Sequence, residues 1–160
     1  MTTPQPTIVT RDEQPYVAYR ATVTMASIPA IADRIGDVVG WLMANDIPLA
    51  GAPFLKYNVI DMGRELEMEA GVPTQTPVDP APEMISGVIP AGRYATVTHV
   101  GPPSQLVDAT AALLTWADQQ GLTWDRDGER WGCRLEIYQT DPTTQPDVTK
   151  WETDLAFKLA

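Results

Sequence analysis

The residues best suited to chemistry in this chain are a carboxylate and a phenol set in short apolar-alternating runs. Arg134–Thr140 reads as a strand in which Leu135 and Ile137 share one face and Arg134, Glu136 and Tyr138 share the other. On spacing alone Glu136 is either a carboxylate on a solvated face, paired with Arg134, or a sheltered acid. A sheltered carboxylate attracts cationic aromatic compounds, and burial raises its pKa toward the range of a general acid or base. Tyr57 falls in the corresponding run of the first half of the chain, roughly where Glu136 falls in the second. There it is either a half-buried strand tyrosine or a hydrogen-bond donor that orients a water.

Around these two lie aromatic residues able to stack on a flat ligand: Phe54, Trp41, Trp116 and Trp131. Trp41 and Trp116 sit at helical spacing, which also fits the core. Phe54 and Trp131 precede the two candidate strands and are the stronger ligand candidates. Glu65, Glu67 and Glu69 alternate along one strand face with no histidine nearby, which reads as a solvated outer face. His99 and Cys133 are the sole imidazole and thiol. Cys133 alternates with Leu135, as a buried inert thiol does. His99 stands at a strand end, at the position of Met25 in the first half, and remains a candidate ligand contact. No metal site, phosphate loop, nucleophile elbow or dinucleotide fingerprint is present, so no cofactor is expected.

The elements that position these residues are written twice. Ala21-Thr22-Val23-Thr24 recurs as Ala95-Thr96-Val97-Thr98, an offset of 74. Each copy follows a Tyr/Arg pair and precedes a Pro-marked helix start at Ser27-Ile28-Pro29 or Pro102-Pro103-Ser104. Ile28, Ile31, Ile35, Val38 and Leu42 make one face of a helix, and Leu106, Ala109, Leu113 and Ala117 make another, with Gly121 placed to stop it. Tyr16–Thr24 and Arg93–His99 are rich in β-branched and aromatic residues, as strands are. Strands closing at Asp61 and Asp141 follow, then Arg64–Val72 and Trp151–Leu159. The expected fold is α+β: a pseudo-twofold duplication of a strand-helix-strand-strand unit, forming one curved antiparallel sheet with two helices on one face. The repeats cover about 15–73 and 84–160. The proline-dense segment Thr74–Pro82 links them, and a loop occupies 142–147.

Composition sets the partners. A chain of 160 residues with 44% apolar and 20% charged residues suits one globular domain. A net charge of −10, with no basic cluster, argues against nucleic acid and anionic membrane. One cysteine, no leader-like start and no long apolar run make the cytoplasm the expected compartment.

Several further pieces run in a recognisable order: Gly51-Ala52-Pro53-Phe54-Leu55-Lys56-Tyr57, Glu69-Ala70-Gly71-Val72-Pro73, Ile89-Pro90-Ala91-Gly92-Arg93-Tyr94, His99-Val100-Gly101-Pro102, Leu135 through Pro142, and Trp151-Glu152-Thr153-Asp154-Leu155. Together they resemble the GyrI-like small-molecule-binding domain, the effector-binding domain of AraC-type and MerR-type multidrug regulators. The resemblance implies a ligand groove at the pseudo-twofold. It puts Glu136 in an aromatic groove with Tyr57 lining it. With no helix-turn-helix in the chain, a stand-alone binding module is expected. Three functions follow from the resemblance: a binder of hydrophobic, aromatic, often cationic compounds; a hydrolase opening cyclopropane-containing genotoxic natural products through Glu136 and Tyr57; and an inhibitor protein that binds DNA gyrase.

Overall fold

The computed structural model describes residues 5–61, 63–141 and 143–160. The start of the chain, Met62 and Pro142, the first residue of the expected 142–147 loop, lie outside the described residues. Numbered in chain order, the elements are β1 (Thr7–Arg11), β2 (Gln14–Val23), α1 (Ile28–Ala32), α2 (Arg34–Ala44), β3 (Phe54–Ile60), β4 (Leu66–Pro73), β5 (Ile85–Ile89) and β6 (Gly92–Val100). They continue as α3 (Leu106–Gln119), β7 (Arg126–Asp127), β8 (Arg130–Trp131), β9 (Arg134–Tyr138) and β10 (Glu152–Lys158).

The duplicated unit is present. One repeat supplies β2, α1/α2, β3 and β4; the other supplies β6, α3, β9 and β10. The main strand order is β1-β6-β10-β9-β3-β4-β2-β5, antiparallel throughout. The repeats meet at β3–β9, where Leu55 opposes Glu136 and Lys56 opposes Leu135. The leading strand of each repeat is traded: β1 pairs with β6 of the other repeat, and β5 pairs with β2. Only Asp12 and Glu13 separate β1 from β2, although β1 opens the order and β2 stands next to its other end. A sheet connected in this way has to curl.

Both helical segments pack on one face. Val38 and Leu42 of α2 bury against Val17 and Val72, and Ile31 of α1 against Leu55, Leu66 and Met68. Leu106 and Leu113 of α3 bury against Ala95, Leu155 and Phe157. The first periodic run resolves into two helical segments that meet at Asp33. Gly121 follows α3 at φ +69°, a left-handed stop that a glycine adopts without steric cost. The sequence reading did not anticipate β1, β5 or the small β7–β8 hairpin, whose Gly128 turns at φ +60°.

The opposite face is enclosed by the curl and forms a second core of Tyr16, Ala18, Phe54, Ile89, Tyr94, Cys133, Leu135, Ile137 and Ala156. This corrects the reading of the β4 acids as a solvated outer face. Glu65 is exposed and Glu67 half-buried, but Glu69 points into the second core and is 3% exposed. The Tyr16 phenol and the Asn58 amide donate to its carboxylate, and Lys56 Nζ lies 3.5 Å from it. Buried charge survives where it is paired and hydrogen-bonded, and here it is both.

Candidate functional site

Alternation along β9 sends Arg134, Glu136 and Tyr138 to the helix face, into a groove that opens between α1 and the start of α3. Its volume is about 460 Å³, within the roughly 300–1,000 Å³ of small-molecule sites. Leu55, Tyr57, Ile60, Leu66 and Phe157 supply the remaining sheet lining, and Ile28, Pro29, Ala32, Leu106 and Thr110 are among the residues of the helix side. Met25 and Val107, both exposed apolar residues, stand at its rim.

Glu136 is the polar centre. Tyr57 donates its phenol to Oε1 at 3.0 Å, and Tyr138 donates to the same oxygen at 2.9 Å. Among the described residues nothing donates to Oε2, so one carboxylate oxygen is held and the other is open to the groove. Desolvation pushes the Glu136 carboxyl up, while the bonds from Tyr138 and Tyr57 and the nearby Arg134 charge pull it down; burial wins. Burial, then the Glu136 charge, also pushes both phenols up, so they remain donors at any physiological pH.

Sequence reasoning treated Arg134 only as a partner for Glu136. No ion pair joins them within 4 Å among the described residues. Instead the guanidinium carbon lies 4.5 Å from the ring centre of Phe157, 4.6 Å from Trp131 and 5.8 Å from Tyr57. The ladders also revise the match between repeats. Ala21 pairs with Met68, which pairs with Tyr57; Ala95 pairs with Phe157, which pairs with Arg134. The counterpart of Tyr57 is therefore Arg134, and that of Glu136, reached through Val97 and Leu155, is Ile60. A β-bulge at Asn58 inserts one residue into β3 between Tyr57 and Val59, so the match runs one position differently beyond it, Glu136 falling on Ile60 rather than Val59.

The other candidate contacts are dispersed. Phe54 is on the opposite face, 1% exposed and edge-on to Tyr16, where it borders a different cleft of about 430 Å³ with Arg11, Gln14 and Ile137. Trp41 packs with α2 in the core over β2 and β4. Trp116 and His99 border a third cleft, about 500 Å³, between α3 and β6. Trp131 is buried against Trp124 and Phe157, with Arg134 stacked on it. The structure thus brings Glu136, Tyr57 and Tyr138 together and separates them from Phe54, Trp41, Trp116 and His99. Cys133 is buried in the second core, and burial pushes its thiol up, away from the reactive thiolate. Among the described residues no cluster of His, Cys, Asp and Glu could hold a metal ion, and no helix is long and apolar enough to cross a membrane.

A ligand-sized groove at the seam of a duplicated strand-helix-strand-strand sheet defines a small-molecule-binding domain. The chain belongs to the GyrI-like small molecule binding domain family, whose model matches residues 4–160. Its fold is similar to that of the EcmrR C-terminal domain, at 21% identity and a TM-score of 0.82, with 99% of each chain covered. It spans 58% of the EcmrR chain seen in a DNA complex. It is also similar to SAV2435 bound to tetraphenylphosphonium (9% identity, TM-score 0.70, covering 98% of this chain and 94% of that one). A hydrolase from Listeria innocua matches at 13% identity and a TM-score of 0.61, with 100% of this chain and 94% of that one covered. At these identities the likeness is one of fold. No curated protein matches the chain by sequence.

Proposed function

We propose that this chain binds hydrophobic aromatic compounds, cations among them, in the groove between α1 and α3, with Glu136 as the polar anchor. The observation that carries this reading is the asymmetric carboxylate: Oε1 held by two phenols, Oε2 left open in an otherwise largely apolar groove. A ligand donor or positive group there would satisfy the open oxygen, and the flat walls would shed water. SAV2435, which shares the fold, is known in complex with an aromatic cation. A thermal-shift panel of neutral and cationic aromatic compounds tests the reading, since a ligand of the native state raises Tm by mass action. Hits are expected to lose about tenfold or more in affinity with Glu136→Leu, which removes a charge-assisted contact worth roughly 1.5–3 kcal/mol, and a smaller factor with Tyr57→Phe, which frees Oε1 and loosens the anchor. A panel without hits, or hits indifferent to both changes, would reject it.

A second reading, hydrolysis, draws on the raised Glu136 carboxyl and on the fold shared with the Listeria innocua hydrolase. An ionised Glu136 would take a proton from water while the water oxygen bonds to a carbon of a strained cyclopropane. The breaking ring bond would pass its electron pair into a conjugated carbonyl, whose enolate oxygen a Tyr57 or Tyr138 hydroxyl would meet with a hydrogen bond until the proton held by Glu136 is returned to the enolate, completing the addition of water. Mass spectrometry of each hit after incubation separates the readings: a ring-opened product 18 Da heavier supports hydrolysis, and unchanged compound supports binding alone. Association with DNA gyrase rests on the family resemblance and on the acidic net charge, and ranks third.

A further inference from the structure

The groove carries a cation of its own. The Arg134 guanidinium covers the faces of Phe157 and Trp131 and approaches that of Tyr57. Ring faces attract positive charge, so these are the surfaces a cationic ligand would stack on. Trp131 does not line the groove, whereas Arg134, stacked on it, does. Among the described residues no acceptor takes a guanidinium N–H, and Arg134 lines the groove. Glu136 and Arg134 cancel in charge without pairing, and the one other charged residue of the lining, Asp33, is exposed at the rim. Burial draws the guanidinium down only to about 10, so the group stays charged at neutral pH.

We propose that Arg134 sets the charge class of the ligand: the groove favours neutral flat aromatics that offer an acceptor to the guanidinium and a donor to Glu136, over permanent cations of the same size. This rests on the binding reading above and narrows it. A cation would have to lift Arg134 from its rings or sit against a like charge. A neutral carbonyl instead gains a charge-assisted hydrogen bond, the stronger kind.

Acridone and 10-methylacridinium make a matched pair, both three fused rings and both fluorescent. Acridone has a carbonyl acceptor and an N–H donor; the other is a permanent cation. Fluorescence titration of the full chain is expected to give acridone about tenfold or more tighter binding, equivalent to about 1.4 kcal/mol. Arg134→Met should weaken acridone, strengthen 10-methylacridinium and reverse the order. Arg134→Lys keeps the charge and should keep the cation the weaker ligand, so it carries the test if Arg134→Met fails to fold. Equal or tighter binding of 10-methylacridinium to the unaltered chain, or a ratio unmoved by Arg134→Met, overturns the proposal and leaves the groove reading standing. Failure of both probes to bind the unaltered chain overturns the groove reading and the proposal together.

Discussion

Glu136 sits where desolvation and hydrogen bonding oppose each other, and desolvation prevails. The consequence for stability has a definite sign. A carboxyl whose folded pKa is raised contributes stability below its ordinary value of 4.5, and that contribution is lost as pH rises through the folded pKa. Glu136→Gln removes this dependence. Its Tm relative to the unaltered chain is expected to climb as pH goes from about 4 to about 8, measured by thermal melts across that range. A difference that is flat or falls with pH would contradict the burial of Glu136. At this scale much was legible. Period 2 along β9 puts Arg134, Glu136 and Tyr138 on one face, and all three line the groove. The same rule applied to β3 separates Phe54 from Tyr57, three positions apart and so on opposite faces; nearness in sequence hid that signal. The burial of Glu69 was not legible, because the second core exists only once the sheet has curled.

The elements show where pattern reading reaches its limit. The repeated Ala-Thr-Val-Thr runs and the two apolar helix faces were enough to find the units and their order. They could not count the bulge at Asn58, and one inserted residue shifts which side chains the pseudo-twofold relates. Packing between the strands is tight at one measurable point. A Cβ added at Gly71 of β4 would come within 2.6 Å and 2.9 Å of Phe54 ring carbons and 3.3 Å of the Ala18 Cβ. Phe54 is buried and packs edge-on against Tyr16. Gly71→Ala is therefore expected to destabilise the fold by about 1–3 kcal/mol, the usual cost of overpacking a filled core. Chemical denaturation would read this as a lower midpoint at unchanged slope.

At the scale of the whole molecule, neither repeat is complete alone. The first lacks the β5 that should flank its β2, and the second lacks the β1 that should flank its β6. The groove likewise draws Tyr57 from one repeat and Glu136, Tyr138 and Arg134 from the other. Chains 1–78 and 79–160, made separately, are expected to remain unfolded by circular dichroism. Mixed or co-expressed, they should assemble into a one-to-one complex with the native spectrum. Independent folding of either piece would count against the interdependence of the repeats.

The traded strands carry a topological consequence. Because each repeat already takes its flanking strand from the other, the only thing keeping the exchange within a single molecule is the reach of the proline-dense stretch from Thr74 to Pro82. Cut that tether by several residues and the same contacts can form only between neighbours, so a reciprocal domain-swapped dimer with two grooves should replace the single-chain arrangement.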